Sequence, residues 1–227
     1  NRSKSLTNNY KASLDNYFKA LSIYEKTDTL PYKVAMVYGN IGIVYKKMKE
    51  YDLVLEYYNN ALDVYSKLGS EFGMTVTLGN MASVFMLQGN FEDCISYSEK
   101  AKSGYEKLGY LRYVPYSESN MAIAYDSLKQ YDLAEKLHFD AVRGHSKFKN
   151  DYELSNTYLA LANNQYQQNL FENAVIYSDS ASFYAQMVSS QEFLLSAIKQ
   201  KSQALNKLGR YKESANLLDK YIALNES

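Results

Sequence analysis

"YGNIGIVYKKMKEYDLVLEYYNNALDVY", residues 38–65, holds two apolar stripes separated by a short polar joint. Ahead of the joint, Val34, Val37, Tyr38, Ile41, Val44, Tyr45 and Met48 follow the i, i+3, i+4, i+7 spacing of an amphipathic helix. After it, Tyr51, Val54, Leu55, Tyr58, Ala61, Leu62 and Tyr65 do the same. The stretch returns as "LGNMASVFMLQGNFEDCISYSEKAKSGY" at 78–105 and as "ESNMAIAYDSLKQYDLAEKLHFDAVRGH" at 118–145, one shared register throughout. An aromatic opens each second half at Tyr51, Phe91, Tyr131, Phe171 and Tyr211. Small residues recur at Gly42, Ala82, Ala122, Ala162 and Ser202, and again at Val54, Cys94, Ala134, Ala174 and Ser214. An alanine recurs at Ala61, Ala101, Ala141 and Ala181 until Tyr221 breaks the series.

The joints, such as "KKMKEY", "SLKQY" and "LGRY", are short and turn-prone, so the two helices of a unit are antiparallel neighbours. Both prolines, Pro31 and Pro115, lie just ahead of a first helix, and none interrupts a predicted helix. Period-two alternation with Asn-Gly or Asp-Gly turns is missing. Gly or Ala at a helix crossing lets backbones approach, whereas a large residue there would overpack at about 1–3 kcal/mol. A single helix pair cannot bury its own stripe, so each unit leans on the next. The expectation is an all-α fold, an α-solenoid of about 11 helices in one array over 1–227. Residues 10–26 read as a lone second helix, followed by repeats at about 32–68, 72–108, 114–148, 152–188 and 192–225. A lone second helix, with no initiator Met or signal segment before it, suggests a piece of a longer protein.

Small, aromatic, aromatic, small, aromatic, small across a helix pair is the pattern of the tetratricopeptide repeats, which this sequence resembles along its whole length. Gly42, Tyr45, Tyr51, Val54, Tyr58 and Ala61 match it, followed by Phe85, Phe91, Cys94 and Ala101, then Tyr125, Tyr131, Ala134 and Ala141. The family's usual unit has about 34 residues. Six more, as here, add about 9 Å of helix at 1.5 Å per residue. The match weakens toward the C-terminus, where Gln165, Leu205 and Tyr221 replace the expected types. The long unit looks like those of bacterial sensor kinases and transcription regulators. That resemblance implies a protein- or peptide-binding module in a larger signalling protein, periplasmic or cytoplasmic.

Lys plus Arg equals Asp plus Glu at 25 each, so no basic stripe points to nucleic acid. No apolar run approaches the ~18 residues a bilayer span needs. Cys94 stands alone in a small-residue core slot, which excludes an internal disulfide. The 24 tyrosines read as core fillers where they fall on the repeat register, while Tyr110, Tyr113 and Tyr116 stay open. No phosphate-cradling Gly loop, nucleophile elbow or zinc helix occurs. His138 and His145 stand two helical turns apart, too far along a helix to share a metal, and read as surface or seam residues. The sequence therefore reads as a non-enzyme without a cofactor or metal.

A repeated penalty asks for a reason. Asn is a poor helix former and Gly is worse by about 1 kcal/mol against Ala, yet Gly39-Asn40, Gly79-Asn80 and Ser119-Asn120 recur at one position. In tetratricopeptide arrays first helices line a concave groove, and the resemblance puts Asn40, Asn80 and Asn120 along its floor. Met36, Val76, Ile43 and Ser83 stand beside them. Ala160 and Gln200 take the slot in the last units, with Asn163 and Gln203 one turn on. A carboxamide offers one acceptor and two donors, which match an extended backbone. Alternatively, the asparagines bridge adjacent helices and the small neighbours permit close packing. Few bases flank the row, which disfavours a clamp for a C-terminal carboxylate and leaves a neutral or mixed peptide or a partner's helix. A scaffold that joins copies into a homodimer is the alternative function.

Overall fold

The computed structural model describes residues 2–27 and 30–226, with side chains described for 9–26 and 30–226. Among them eleven α-helices follow one another and no strand occurs. They are α1 (Arg2–Thr27), α2 (Pro31–Met48), α3 (Tyr51–Lys67), α4 (Glu71–Gln88), α5 (Phe91–Lys107), α6 (Val114–Ser127), α7 (Tyr131–Lys147), α8 (Asp151–Gln167), α9 (Phe171–Met187), α10 (Gln191–Lys207) and α11 (Tyr211–Asn225). A short 3-10 turn, Leu111–Tyr113, precedes α6. Helix α1 begins at Arg2, well before the start at residue 10 that the pattern suggests. Pro31 opens α2 and Pro115 is the second residue of α6, so both lie within first turns rather than ahead of them. An N–H missing there has no intrahelical partner to lose.

Helices α2 to α5 and α6 to α10 stop for one recurring reason. A left-handed residue stands at Lys49, Gly69, Gly89, Gly109, Lys129, Lys149, Asn169, Ser189 and Gly209, evenly spaced along the chain. The next residue's amide folds back to the carbonyl five positions earlier. Glu50 donates to Tyr45 O at 3.1 Å, Asn90 to Phe85 O at 2.9 Å and Leu170 to Gln165 O at 2.9 Å. This wrap satisfies carbonyls that a helix end would otherwise leave bare. The same residue then caps the next helix. Ser70, Asn150 and Ser190 accept the amides of Gly73, Glu153 and Phe193 through their side chains. So brief a link forces antiparallel neighbours. The left-handed residues thus recur every 20 positions, halving each 40-residue unit.

The chain falls into two compact units, Asn1–Tyr110 and Leu111–Ser227. Both use one burial pattern. Second helices bury Val54, Tyr58, Ala61 and Tyr65, and the equivalent Cys94, Ser98, Ala101 and Tyr105, then Ala134, His138, Ala141 and His145. First helices bury Ile41, Gly42 and Val44, and the equivalent Met81, Ala82 and Val84, Met121, Ala122 and Ala124. In the first unit Val54 and Tyr58 pack with Met81 and Val84. In the second, Ala174 and Val175 pack with Ala204 and Leu205. A Cβ on Gly42 would lie 2.5 Å from the Tyr58 ring, so this small residue admits a ring rather than a neighbouring backbone. At the C-terminal end Ser202 and Ser214 replace apolar residues and bond to each other, Oγ to Oγ, at 2.7 Å. Cys94 is fully buried and burial pushes its thiol up to about 11, so it packs and does not react.

Candidate binding cleft

Helix α8 repeats one face at Asn156, Leu159, Ala160, Asn163 and Gln167, the spacing of a single helical stripe. Equivalent faces of α6 (Ile123, Ser127) and α10 (Ser196, Lys199, Gln200, Gln203) join it. Asp126, Lys129, Tyr131 and Tyr166 complete a cleft of about 840 Å³ within the second unit. Ile123, Leu159 and Ala160 give it an apolar part of its lining. Five carboxamides, from Asn156, Asn163, Gln167, Gln200 and Gln203, stand around it. All five carboxamides come from first helices, α8 and α10.

Of the residues expected from sequence, Asn163, Gln200 and Gln203 meet in this cleft. Ser119 and Asn120 are half-buried on α6 and are not among its walls. In the first unit Met36 and Ile43 are exposed, and Gly39, Asn40, Val76, Gly79 and Asn80 are half-buried. Gly39 has open space where a Cβ would go, and at Gly79 a Cβ would meet Tyr105 Oη and Ala101 at ordinary contact distance. Helix packing therefore does not require these two glycines. Ser83 is already engaged, donating to Asn80 O at 2.7 Å and accepting from Lys46 Nζ at 3.3 Å. Burial lowers the Lys46 ammonium below the ordinary lysine range.

The cleft wall continues into a polar core that the repeat pattern hides. Asn164 Nδ2 donates to Asp126 Oδ1 at 2.6 Å and to Tyr131 O at 3.0 Å. Asn164 Oδ1 accepts from Gln165 Nε2 at 3.0 Å and Gln168 Nε2 at 2.8 Å. All four capacities of this carboxamide are used, which fixes its orientation. Gln165 also donates to Glu135 at 2.9 Å and accepts from Asn173 at 2.9 Å. His138 Nε2 lies 2.8 Å from Asp126 Oδ2. His138 and His145 are both fully buried seam residues, on α7, rather than surface ones. The His145 ring meets Tyr116 edge-on at 5.1 Å, and Asn150 Nδ2 donates to the Tyr116 hydroxyl at 2.8 Å. Among the described residues no group of three or more His, Cys, Asp or Glu could hold a metal ion. No described helix is long and apolar enough to cross a membrane.

Residues 35–68 match the tetratricopeptide repeat family model. Photosystem I assembly protein Ycf3 of Rippkaea orientalis is 30% identical over 98 residues, 43% of this chain and 51% of that protein. Response regulator aspartate phosphatase I of Bacillus subtilis is 30% identical over 93 residues, 41% of this chain and 23% of that protein. The matched stretch thus spans about half of the first relative and 23% of the second. Among solved structures, BtubC (BKLC) of P. vanneervenii superposes with a TM-score of 0.83 at 12% identity, covering 97% of this chain and 91% of that one. The apo quorum sensor NprR of B. thuringiensis gives 0.81 at 17% identity, with 100% and 63% covered. A Rap protein complexed with Competence and Sporulation Factor gives 0.74 at 15%, with 93% and 63% covered. Such identities establish shared architecture. The fold is a tetratricopeptide-like α-solenoid built on a 40-residue unit.

Proposed function

We propose that this chain is a binding module, in a larger bacterial signalling protein, that receives an extended peptide or partner segment on its first-helix face and acts by binding rather than catalysis. The carrying observation is the cleft of the second unit, whose lining combines five carboxamides with the apolar Ile123, Leu159 and Ala160. A backbone alternates N–H and C=O, and a carboxamide can serve either, so such a wall grips main chain without demanding one side chain. Likeness in fold to NprR and to the Rap protein complexed with Competence and Sporulation Factor supports this reading. The half-buried Asn40 and Asn80, beside glycines that packing does not need, extend the proposal to the first unit.

Selection from a random heptapeptide display library tests it. Peptides enriched on the intact chain should lose at least tenfold in affinity when Asn163, Gln200 and Gln203 are replaced by Ala, with thermal melting nearly unchanged. Peptides bound equally by the triple variant would remove the cleft as the receiving site.

A further inference from the structure

One wall position of the cleft carries a negative charge, and its surroundings are built. Asp126 closes the last turn of α6 with its side chain only 12% exposed. Both carboxylate oxygens are held from inside the protein, Oδ1 by Asn164 and Oδ2 by His138. Asn164 has no spare capacity, and His138 is fully buried on α7. With Nε2 facing the carboxylate, His138 leaves Nδ1 without a hydrogen-bond partner. These two contacts orient Asp126 from inside the protein. A carboxylate offers about four lone-pair directions. Two are taken from within, and the same residue also lines the cleft. Lys129 and Lys199 share the cleft, yet among the described residues no lysine or arginine pairs with Asp126.

The repeat register sharpens the point. The slot occupied by Asp126 holds Lys46, Met86, Tyr166 and Asn206 in the other repeats. Lys46 is half-buried and donates to the neutral Ser83 hydroxyl at 3.3 Å. A position whose charge changes sign between repeats does not serve the stacking that all repeats share. Packing would be met by Met or Tyr, as at 86 and 166.

We propose that Asp126 is the cation-recognising point of the cleft, taking an ammonium or guanidinium group of the bound ligand. The proposal rests on the reading of the cleft as a peptide site and adds the chemistry it selects. The inward bonds set the carboxylate before the ligand arrives, and the partly water-excluded wall strengthens a charged hydrogen bond there. A lysine or arginine side chain of a peptide, or a free polyamine, could supply that group.

The test uses the whole chain, labelled with 15N, and three probes: acetyl-Gly-Arg-Gly-amide, its citrulline counterpart, and agmatine. Citrulline keeps the shape of arginine and removes the charge. Titrated through the Asn164 side-chain amide and His138 Nε2–H resonances, the arginine peptide should bind at least tenfold more tightly than the citrulline peptide. Asp126→Asn should abolish that preference. Agmatine binding as tightly as the arginine peptide would support the same subsite and assign the cation to a free amine rather than a peptide. Equal shifts from arginine and citrulline peptides would overturn the charge assignment while leaving a peptide-binding cleft. No shift from any probe would overturn both, and because the comparison is made on the unaltered chain, misfolding of the variant cannot obscure it.

Discussion

At the scale of single residues, side chains on one register behave differently because their neighbours differ. Tyr65, Tyr105 and His145 occupy the same slot and are all buried. Burial holds the His145 imidazole down at about 4. An unfolded histidine titrates near 6.5. Between those values the unfolded chain binds the extra proton, so stability falls as pH drops from about 6.5 toward 4, by up to about 3 kcal/mol. Above that window the loss is absent. Urea midpoints at pH 7.5, 6 and 5 check this, and His145→Gln should flatten the difference between the higher and lower pH. The sequence showed that the two histidines lie on one helix but not that both point inward. Two turns separate buried neighbours as readily as surface ones. The Asn164 network was equally illegible, because the repeat trains attention on apolar recurrences, and Asn164 stands where Val44, Val84 and Ala124 stand in other units. By contrast, Gln165 was visible as a departure from the aromatic at 45, 85 and 125, and its hydrogen bonds to Glu135 and Asn173 now account for it.

At the scale of elements, the helix pairs were readable from sequence because two signals agree. The apolar stripes give the helices, and the polar joints give their ends. The left-handed residue at each joint from 49 to 209 is harder to see, since Gly fills it at 69, 89, 109 and 209 while Lys, Asn or Ser does so elsewhere. A side chain in this conformation costs about 1–2 kcal/mol at non-glycine positions. Lys49→Gly and Lys149→Gly, at φ 64° and 53°, should each raise stability by roughly 0.5–1 kcal/mol once glycine's greater freedom in the unfolded chain is subtracted. Denaturant melts of each variant measure it. A decrease would mean that the lysine side chain makes a contact worth more than the strain.

At the scale of the molecule, equal numbers of acidic and basic residues leave no long-range field, so recognition must come from local surfaces. One such surface breaks the repeat. The outer face of α9 carries Ile176, Phe183 and Met187, each 57–62% exposed. The same positions hold Glu56, Asp63 and Lys67 on α3, and Lys136, Arg143 and Lys147 on α7. Exposed apolar side chains that share one helix face favour association, so sedimentation over a wide dilution series should show a reversible dimer that Phe183→Glu abolishes. A monomer at every concentration would refute this. The equal spacing of the joints has a genetic counterpart. The seams after α3, α7 and α9 close with the same turn, so recombination between any two of them joins an ending to a beginning that already fit. Tandem duplication could then lengthen the protein by whole hairpins without inventing a junction, leaving each new copy free to vary the residues it turns toward a ligand.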